Sequence, residues 1–474
     1  MRAKKRDVFV MPLLILPSLV CRAQSSPSHN PPVKTFTLEQ AINHALTNYP
    51  AVRAARERVS AARAGVSLAR TGYLPRADAL WQSNRATRNN IFGLYFPNAV
   101  LSPISGPVLP STSNQTVWGS AAGLLFSWQP FDFGYRGATV SAAKAGQNRA
   151  TAESDVTSLD VAVAATNAFM TLLAAEERVK AARADVERRQ VFTKSVHVLV
   201  DNQLRPGADA SRTDAELARA RIELIRAEQA DRLSRAALAD ILGIAGTPVE
   251  IQAGPLLNLP TEAGLPGRTV SAHPIAVAEK ARVDEARARE QILDRSYYPK
   301  LNFQSTVYGR GSGANTDGTV AAGLNGLGLE RANWAAGMTV TFPLFDIFSI
   351  RARKEIERSS ERAQAARYDQ AIQDLTGQLD EARAALEGAR RVAENTPIEL
   401  KAARDTEFQA RARYQAGLAT IVDVAEAQGL LVQAETDDAL ARLAVWNNLS
   451  SLAAAQGDLQ PFLQLLRGKT QGGP

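Results

Sequence analysis

Residues 296–308 read SYYPKLNFQSTVY, and the change of pattern at Pro299 decides the fold. The stretch before it, AEKARVDEARAREQILD at 278–294, is alanine-rich and highly charged, as a solvated helix is. After it, Leu301, Phe303 and Val307 alternate with Lys300, Asn302, Gln304 and Thr306, the period of a strand with one apolar face. A helix therefore stops at Tyr297-Tyr298-Pro299 and gives way at once to a strand. The same junction occurs once earlier, at 71–83, as TGYLPRADALWQS.

The two junctions belong to an internal duplication. Tyr49-Pro50 and His273-Pro274 each open a charged helix, and Tyr73-Leu74-Pro75 and Tyr297-Tyr298-Pro299 each close it, both pairs offset by about 224 residues. SWQPFDFG from Ser127 matches TFPLFDIF from Thr341 at an offset of about 214, which then holds to Gly243 and Gly457. The first repeat covers residues 35–243, with a helix, strands near 75–85 and 117–128, a long helix near 134–202 and a helix near 208–243. The second covers 271–457, with a helix, strands near 299–308 and 333–343, a long helix near 349–416 and a helix near 420–456. Residues 244–270 form a Pro/Gly-rich linker and 458–474 a C-terminal tail.

Each long helix would reach roughly 100 Å at 1.5 Å per residue, beyond what a compact globular domain holds. Stripes such as VAVAATNAF and AARYDQAIQDL are rich in small residues and favour close side-by-side packing of coiled-coil type. Gly388 and Pro397 mark expected bends in the second long helix.

Along the second strand of each half the alternation is clearer. Trp334, Ala336, Met338, Val340 and Phe342 share one face, with Ala335, Gly337, Thr339 and Thr341 on the other. Trp118, Ala122, Leu124, Phe126 and Trp128 do likewise in the first half. Runs of about ten alternating residues with aromatics near their ends suit tilted strands crossing a bilayer. An ordinary half-buried hairpin has the same alternation. The joining segments at 87–116 and 309–331 are long and rich in Gly, Pro, Ser and Asn, like the outward loops of membrane barrels. Four strands close no barrel, because backbone inside a bilayer leaves no free edge and the smallest single-chain barrels have about eight strands. The remaining strands must come from other copies.

The N-terminus fits export. Arg2, Lys4, Lys5 and Arg6 precede an apolar run from Val8 to Val20, so residues 1–23 read as a signal peptide cleaved after Ala23. Cys21, the only cysteine, is a candidate lipid anchor or an ordinary leader residue, and disulfides and thiolate metal sites are excluded. Beyond residue 20 no apolar run of about 18 residues occurs, which argues against a spanning helix and says nothing against strands. The chain is basic, with net charge +7. Its arginines nevertheless alternate with acids at helical spacing, which describes salt-bridged helix faces and argues against a nucleic-acid partner. His29, His44, His197 and His273 are scattered, and no nucleotide motif or base-partnered nucleophile is present, so neither enzyme activity nor a cofactor is expected.

Taken together, FTLEQAINHALTNYPAVRAARERVSAARAGV from Phe36, the two Y-x-P junctions, the PFDFG and LFDIF exits and YQAGLATIVDVAEAQ from Tyr414 resemble the TolC-type outer-membrane efflux and secretion channels over about Thr35 to Gln456. The resemblance implies a mainly helical fold with membrane β: a homotrimer whose subunits each give four strands to a shared twelve-stranded barrel in outer-membrane lipid. It also implies a hollow helical barrel in the periplasm of a Gram-negative-type bacterium. The expected function is an exit duct of a tripartite efflux or type I secretion system, with an inner-membrane pump and a periplasmic adaptor protein as partners. The linker would join the C-terminal segment in a belt around the waist. An exported periplasmic adaptor would need only one helical hairpin, and an exported structural coiled coil would not need Trp/Phe-bearing strands.

In a duct the chemistry lies at the constriction, where the helices turn back at NQLRPGADASR and QAGLATIVDVAEAQ. Asp423 and Glu426 lie three apart on one helix face, and threefold symmetry would gather six carboxylates that raise each other's proton affinity and select cations. Solvent-facing acids of a helix first turn give the same pattern. Asp209 aligns with Asp423 and Arg212 with Glu426, a potential Asp-Arg clasp. The resemblance gives Tyr414 a part in holding the gate shut. The arginine that follows it in such relatives is Ala419 here, leaving Arg205 and Arg212 as candidates for its place. Arg205, Pro206 and Gly207 in one turn, and Ala416, Gly417 and Leu418 in the other, are the candidate adaptor-docking tips; tight helical turns need glycine and proline in any case.

Overall fold

The computed structural model describes residues 33–87, 114–260, 265–315, 317 and 319–468. The expected signal peptide, Cys21, most of the first long loop and the last residues lie outside these.

The chain begins with β1 (Lys34–Phe36), α1 (Leu38–Asn48) and α2 (Pro50–Thr71). Helix α1, ahead of the helix start expected at Tyr49-Pro50, was not foreseen. Thr37 caps α1 by accepting from the Gln40 N–H while the Gln40 side chain accepts from the Thr37 N–H, so two orphan amides are satisfied together. Tyr49 is extended, and Pro50 opens α2 where no backbone donor is needed. Pro274 repeats this at the start of α5 (Pro274–Arg295).

Four strands follow the two junctions: β2 (Arg76–Thr87), β3 (Thr116–Phe131), β5 (Lys300–Ser312) and β6 (Arg331–Thr341). They form one antiparallel sheet in the order β2-β3-β5-β6, so among the described residues one edge of β2 and one of β6 have no strand partner. The register aligns Ala79, Leu124, Val307 and Trp334 across all four strands on one face. Trp81, Leu124, Val307, Trp334 and Met338 are all exposed on that face. One pleat over, Asp78, Leu125, Thr306 and Ala335 lie together, followed by Arg76, Ser127, Gln304 and Gly337. An apolar face turned outward and a more polar one turned inward is the pattern of a membrane strand.

Below the sheet run α3 (Tyr135–Asp201), α4 (Gly207–Ile241), α6 (Asp346–Gln415) and α7 (Ile421–Ala455). The 67 residues of α3 span roughly 100 Å. α3 pairs with α4 and α6 with α7 as two long hairpins, while α2 and α5 flank their upper halves. α6 runs through Gly388 and Pro397 without a break. The seams are built on small residues: Ala165, Ala403, Ala434 and Ala453 are buried almost completely. One window of α3 is apolar enough to pass for a spanning helix, against the reading of the sequence, but half of it is buried inside the protein. Its apolar side is the packing face at the core.

The main core lies midway along the long helices, where Phe169, Leu172, Leu386, Trp446 and Leu449 meet α1 and the linker. There β4 (Val249–Ile251) pairs parallel with β1, and the Trp446 indole N–H donates to the Asn258 carbonyl at 2.7 Å. The residues read as a tail contain α8 (Gln460–Gly468), whose Phe462 and Leu463 are buried in this core. A nine-residue helix is too short to show its period against a Gly/Gln-rich end. Basic side chains pair across helices, with Arg188 to Glu435 at 2.8 Å, Arg235 to Glu176 at 2.7 Å and Arg358 to Glu290 at 2.8 Å.

Candidate functional site at the helical tips

The two hairpins turn by one device used twice. Gln203 and Gly417 both have positive φ (59° and 78°), a conformation glycine adopts freely and glutamine at a cost. After them the Leu204 N–H bonds the Leu199 carbonyl and the Leu418 N–H bonds the Arg413 carbonyl, each at 2.8 Å. Leu204 and Leu418, equivalent across the repeat, project into solvent at 68% and 71% exposure. Pro206, Gly207, Ala416 and Gly417 are also exposed, so the candidate docking residues share the tip surface.

Just above the turns sits a small separate core of Phe192, Val196, Tyr414, Ile421 and Val424. Tyr414 is 1% exposed, its ring edge-on to Phe192 at 5.6 Å. Its hydroxyl donates to Asp209 Oδ2 at 2.8 Å, tying the end of α6 to the start of α4. The Arg205 guanidinium lies over the same ring, 4.3 Å from its centre, and donates to the Tyr414 carbonyl. Burial first, and then the bond to the Asp209 carboxylate, push the Tyr414 hydroxyl up to about 12. The tyrosine thus keeps its proton, and the bond, across the physiological range.

Arg205 is therefore the arginine brought to Tyr414. Within the single chain Arg212 faces Glu216, 3.9 Å away, and Asp209 takes the tyrosine rather than Arg212. One helical turn separates Asp209 from Arg212, but the α6 terminus lies nearer to the carboxylate than Arg212 does.

Asp423 caps its own helix. The Thr420 N–H and hydroxyl both donate to Asp423 Oδ2, at 2.7 and 2.9 Å, and the Asp423 N–H returns to the Thr420 hydroxyl at 3.4 Å. These bonds, the backbone one first, hold its carboxyl below the usual range within the single chain. Within one chain the capping role accounts for Asp423, in line with the first-turn alternative in the sequence; the partner, Thr420 of T-I-V-D at 420–423, was not named there. Glu426 is exposed on the same helix. The contribution of Phe192 and Val196 had no sequence signal, since their spacing is that of any apolar stripe.

Two of the described histidines hold backbone. His273 Nδ1 accepts from the Ile275 N–H and its Nε2 donates to the Ala454 carbonyl, both at 3.1 Å. His44 meets the Leu242 carbonyl at 3.1 Å, and His197 meets Asp214 at 2.9 Å. Among the described residues no cluster of three or more potential metal ligands occurs.

A sheet with one lipid-compatible face, open at both edges among the described residues and carried on paired helices of this length, defines a subunit of a membrane-spanning channel. The chain belongs to the outer membrane efflux protein family, whose sequence model matches residues 41–244 and 269–458. It is similar to Protein CyaE of Bordetella pertussis, 26% identical over 433 residues, covering 90% of this chain and 84% of the relative. It is also similar to the pyoverdine export outer membrane protein OpmQ of Pseudomonas aeruginosa, 23% identical over 415 residues, covering 86% and 82%. Among solved structures, CusC superposes with a TM-score of 0.74 at 15% identity, over 89% of this chain and 92% of that one. The CmeC outer membrane channel of Campylobacter jejuni gives 0.72 at 17%, over 89% and 85%. The open state of the Neisseria gonorrhoeae MtrE outer membrane channel gives 0.70 at 20%, over 89% and 89%. The protein is an outer-membrane exit channel, and its family and fold are those of channel proteins.

Proposed function

We propose that three copies close a twelve-stranded barrel and continue below it as a helical tube, which passively conducts cargo handed over by an inner-membrane pump and a periplasmic adaptor. The observation that carries this reading is the four-stranded sheet with an apolar outer face and two open edges, because such edges are not tolerated in lipid. In this reading the tube is gated at its tips. The Tyr414–Asp209 bond and the Arg205 stack join the α6/α7 hairpin to the α3/α4 hairpin of the same chain, so opening must break or stretch them. The exposed Leu204 and Leu418, set among small residues, form the surface on which the adaptor docks.

Asp423 and Glu426 form the charged constriction in the trimer. Capping occupies Oδ2 of Asp423, and the side chain stays exposed. The test is single-channel conductance in planar bilayers, wild type against Asp423→Ala/Glu426→Ala, with multivalent cations added. Small cation-selective conductance, blocked by the added ions and relieved by the double substitution, supports the acidic constriction. Channels indifferent to the substitution move the constriction elsewhere. A folded oligomer without channels refutes the duct.

A further inference from the structure

The two halves repeat in strand register as well as in sequence. Moving β2 forward by 224 residues and β3 by 214 carries Arg76↔Ser127 onto Lys300↔Thr341 and Arg85↔Trp118 onto Gly309↔Ala332, the pairs found between β5 and β6. The chain holds one further seam, between β3 and β5, where the end of the first half meets the start of the second. The same shifts turn β3 into β6 and, run backwards, β5 into β2. They generate a seam that a single chain cannot contain.

Resting on the shared-barrel reading above, we propose that β6 pairs antiparallel with β2 of a second copy in one definite register, with Val340 opposite the partner's Trp81. Phe126↔Ser305 generates that pair, and Leu125↔Thr306 generates Thr339 opposite the partner's Gln82. Both pairs respect the faces: Val340 and Trp81 extend the apolar outer surface, and Thr339 and Gln82 continue the more polar inner one. A one-residue slip would set Trp81 against an inward position and is excluded by the alternation.

A two-residue slip keeps the faces but breaks the equivalence with the β3–β5 seam, which continues into the strand-to-helix exit. In the first half Phe131 lies opposite Leu301, and Phe133 stacks on Tyr298 with ring centres 5.6 Å apart. In the second half the same shift gives Phe345 for Phe131 and Ile347 for Phe133: Ile347 is half-buried, whereas Phe345 is exposed at 87%, with Leu344 and Phe348 exposed beside it. In the proposed register Phe345 comes opposite the partner's Ala77, and the partner's Leu74, itself exposed, takes the place of Tyr298. The second copy thus covers the largest apolar group at this junction. The helix ion pairs of the inner seam, Arg149–Glu285 and Arg282–Glu153, map onto Ala363–Ala61 and Arg367–Arg58, so the outer seam takes its register from the strands.

Paired cysteines in a Cys21→Ser background test the register, because facing antiparallel residues lie about 4.5–5.5 Å apart at Cα, within disulfide reach. Val340→Cys/Trp81→Cys, and independently Thr339→Cys/Gln82→Cys, are expected to shift the membrane-extracted protein from monomer to covalent dimer and trimer on non-reducing denaturing gels. Val340→Cys/Ala79→Cys and Val340→Cys/Ser83→Cys, the two-residue slips, are expected to stay monomeric. Trp81→Cys/Ala122→Cys is the control within one chain, since those two residues already face each other. Cross-linking only in a slipped pair overturns the register, and its failure in every pair between copies while the control forms overturns the pairing. Conductance of the same variants separates either failure from failure of the duct itself.

Discussion

Replacing Tyr414 by Phe isolates the hydroxyl from the ring. The edge contact with Phe192 and the Arg205 stack remain, and the bond to Asp209 at 2.8 Å is lost. A hydrogen bond to a charged group contributes about 1.5–3 kcal/mol. Asp209 is only half-buried and recovers water, and the variant no longer buries a hydroxyl, so the lower end applies, about 1.5 kcal/mol per copy. If the bond exists only in the closed tip, that amounts to roughly tenfold in the open-to-closed ratio per copy, and about a thousandfold for three copies opening together. Single-channel recording should show a large rise in open time or a new high-conductance level. Because burial and Asp209 raise the hydroxyl above the ordinary tyrosine value of 10.0 to about 12, its stabilisation is complete below 10 and fades as pH rises through 12. The wild-type tyrosine therefore adds no pH dependence between pH 6 and 9. Unchanged gating in Tyr414→Phe, with lowered heat stability, would make the bond a structural tie and refute its role in the gate.

The other predictions concern the framework. His273 is held neutral by burial, and Arg268 opposes its charge, so its pKa lies below 6.5; as pH falls below that value the unfolded chain binds a proton that the folded chain resists. The wild type should lose more thermal stability between pH 7.5 and 5.5 than His273→Asn, which keeps a capping acceptor without a titrating ring, and equal losses would refute the argument. Gly457→Ala should cost far more than Gly243→Ala. Both have positive φ, worth about 1–2 kcal/mol, but a Cβ on Gly457 would lie 2.5 Å from Pro274 Cδ and 2.7 Å from His273 Cδ2, against 3.3 Å to the nearest atom at Gly243. That overlap adds about 1–3 kcal/mol, read as a lower melting temperature of the oligomer. Val307→Arg, on the apolar face near the middle of β5, should cost about 2–4 kcal/mol and reduce heat-stable oligomer in the membrane, whereas Gln304→Arg on the inner face should assemble normally.

Much of the fold was legible because its signals are local. Tyr-x-Pro junctions, period-two alternation and glycine after the last helical turn each act within a few residues, and the duplication supplied every signal twice. What escaped notice was short or lacked a period of its own: α8, the β1–β4 pair and α1. The tip shows the same division. Asp209, Arg205 and Tyr414 were all candidates in the sequence, but positions near 205–209 and position 414 meet only because two helices of about 100 Å end at the same level.

The sequence alone determined the alternation of lipid and inner faces, the two helical hairpins and the need for partner strands, since each follows from side-chain periodicity and from the backbone's requirement for hydrogen bonds. Only the tertiary structure decided which arginine reaches Tyr414, that Asp209 binds the tyrosine rather than Arg212, and that Asp423 bonds its own Thr420. These choices depend on angstrom-scale distances between side chains, and Asp209 and Tyr414 are 205 residues apart in the chain. Spacing along the chain carries no information about such distances until packing fixes them.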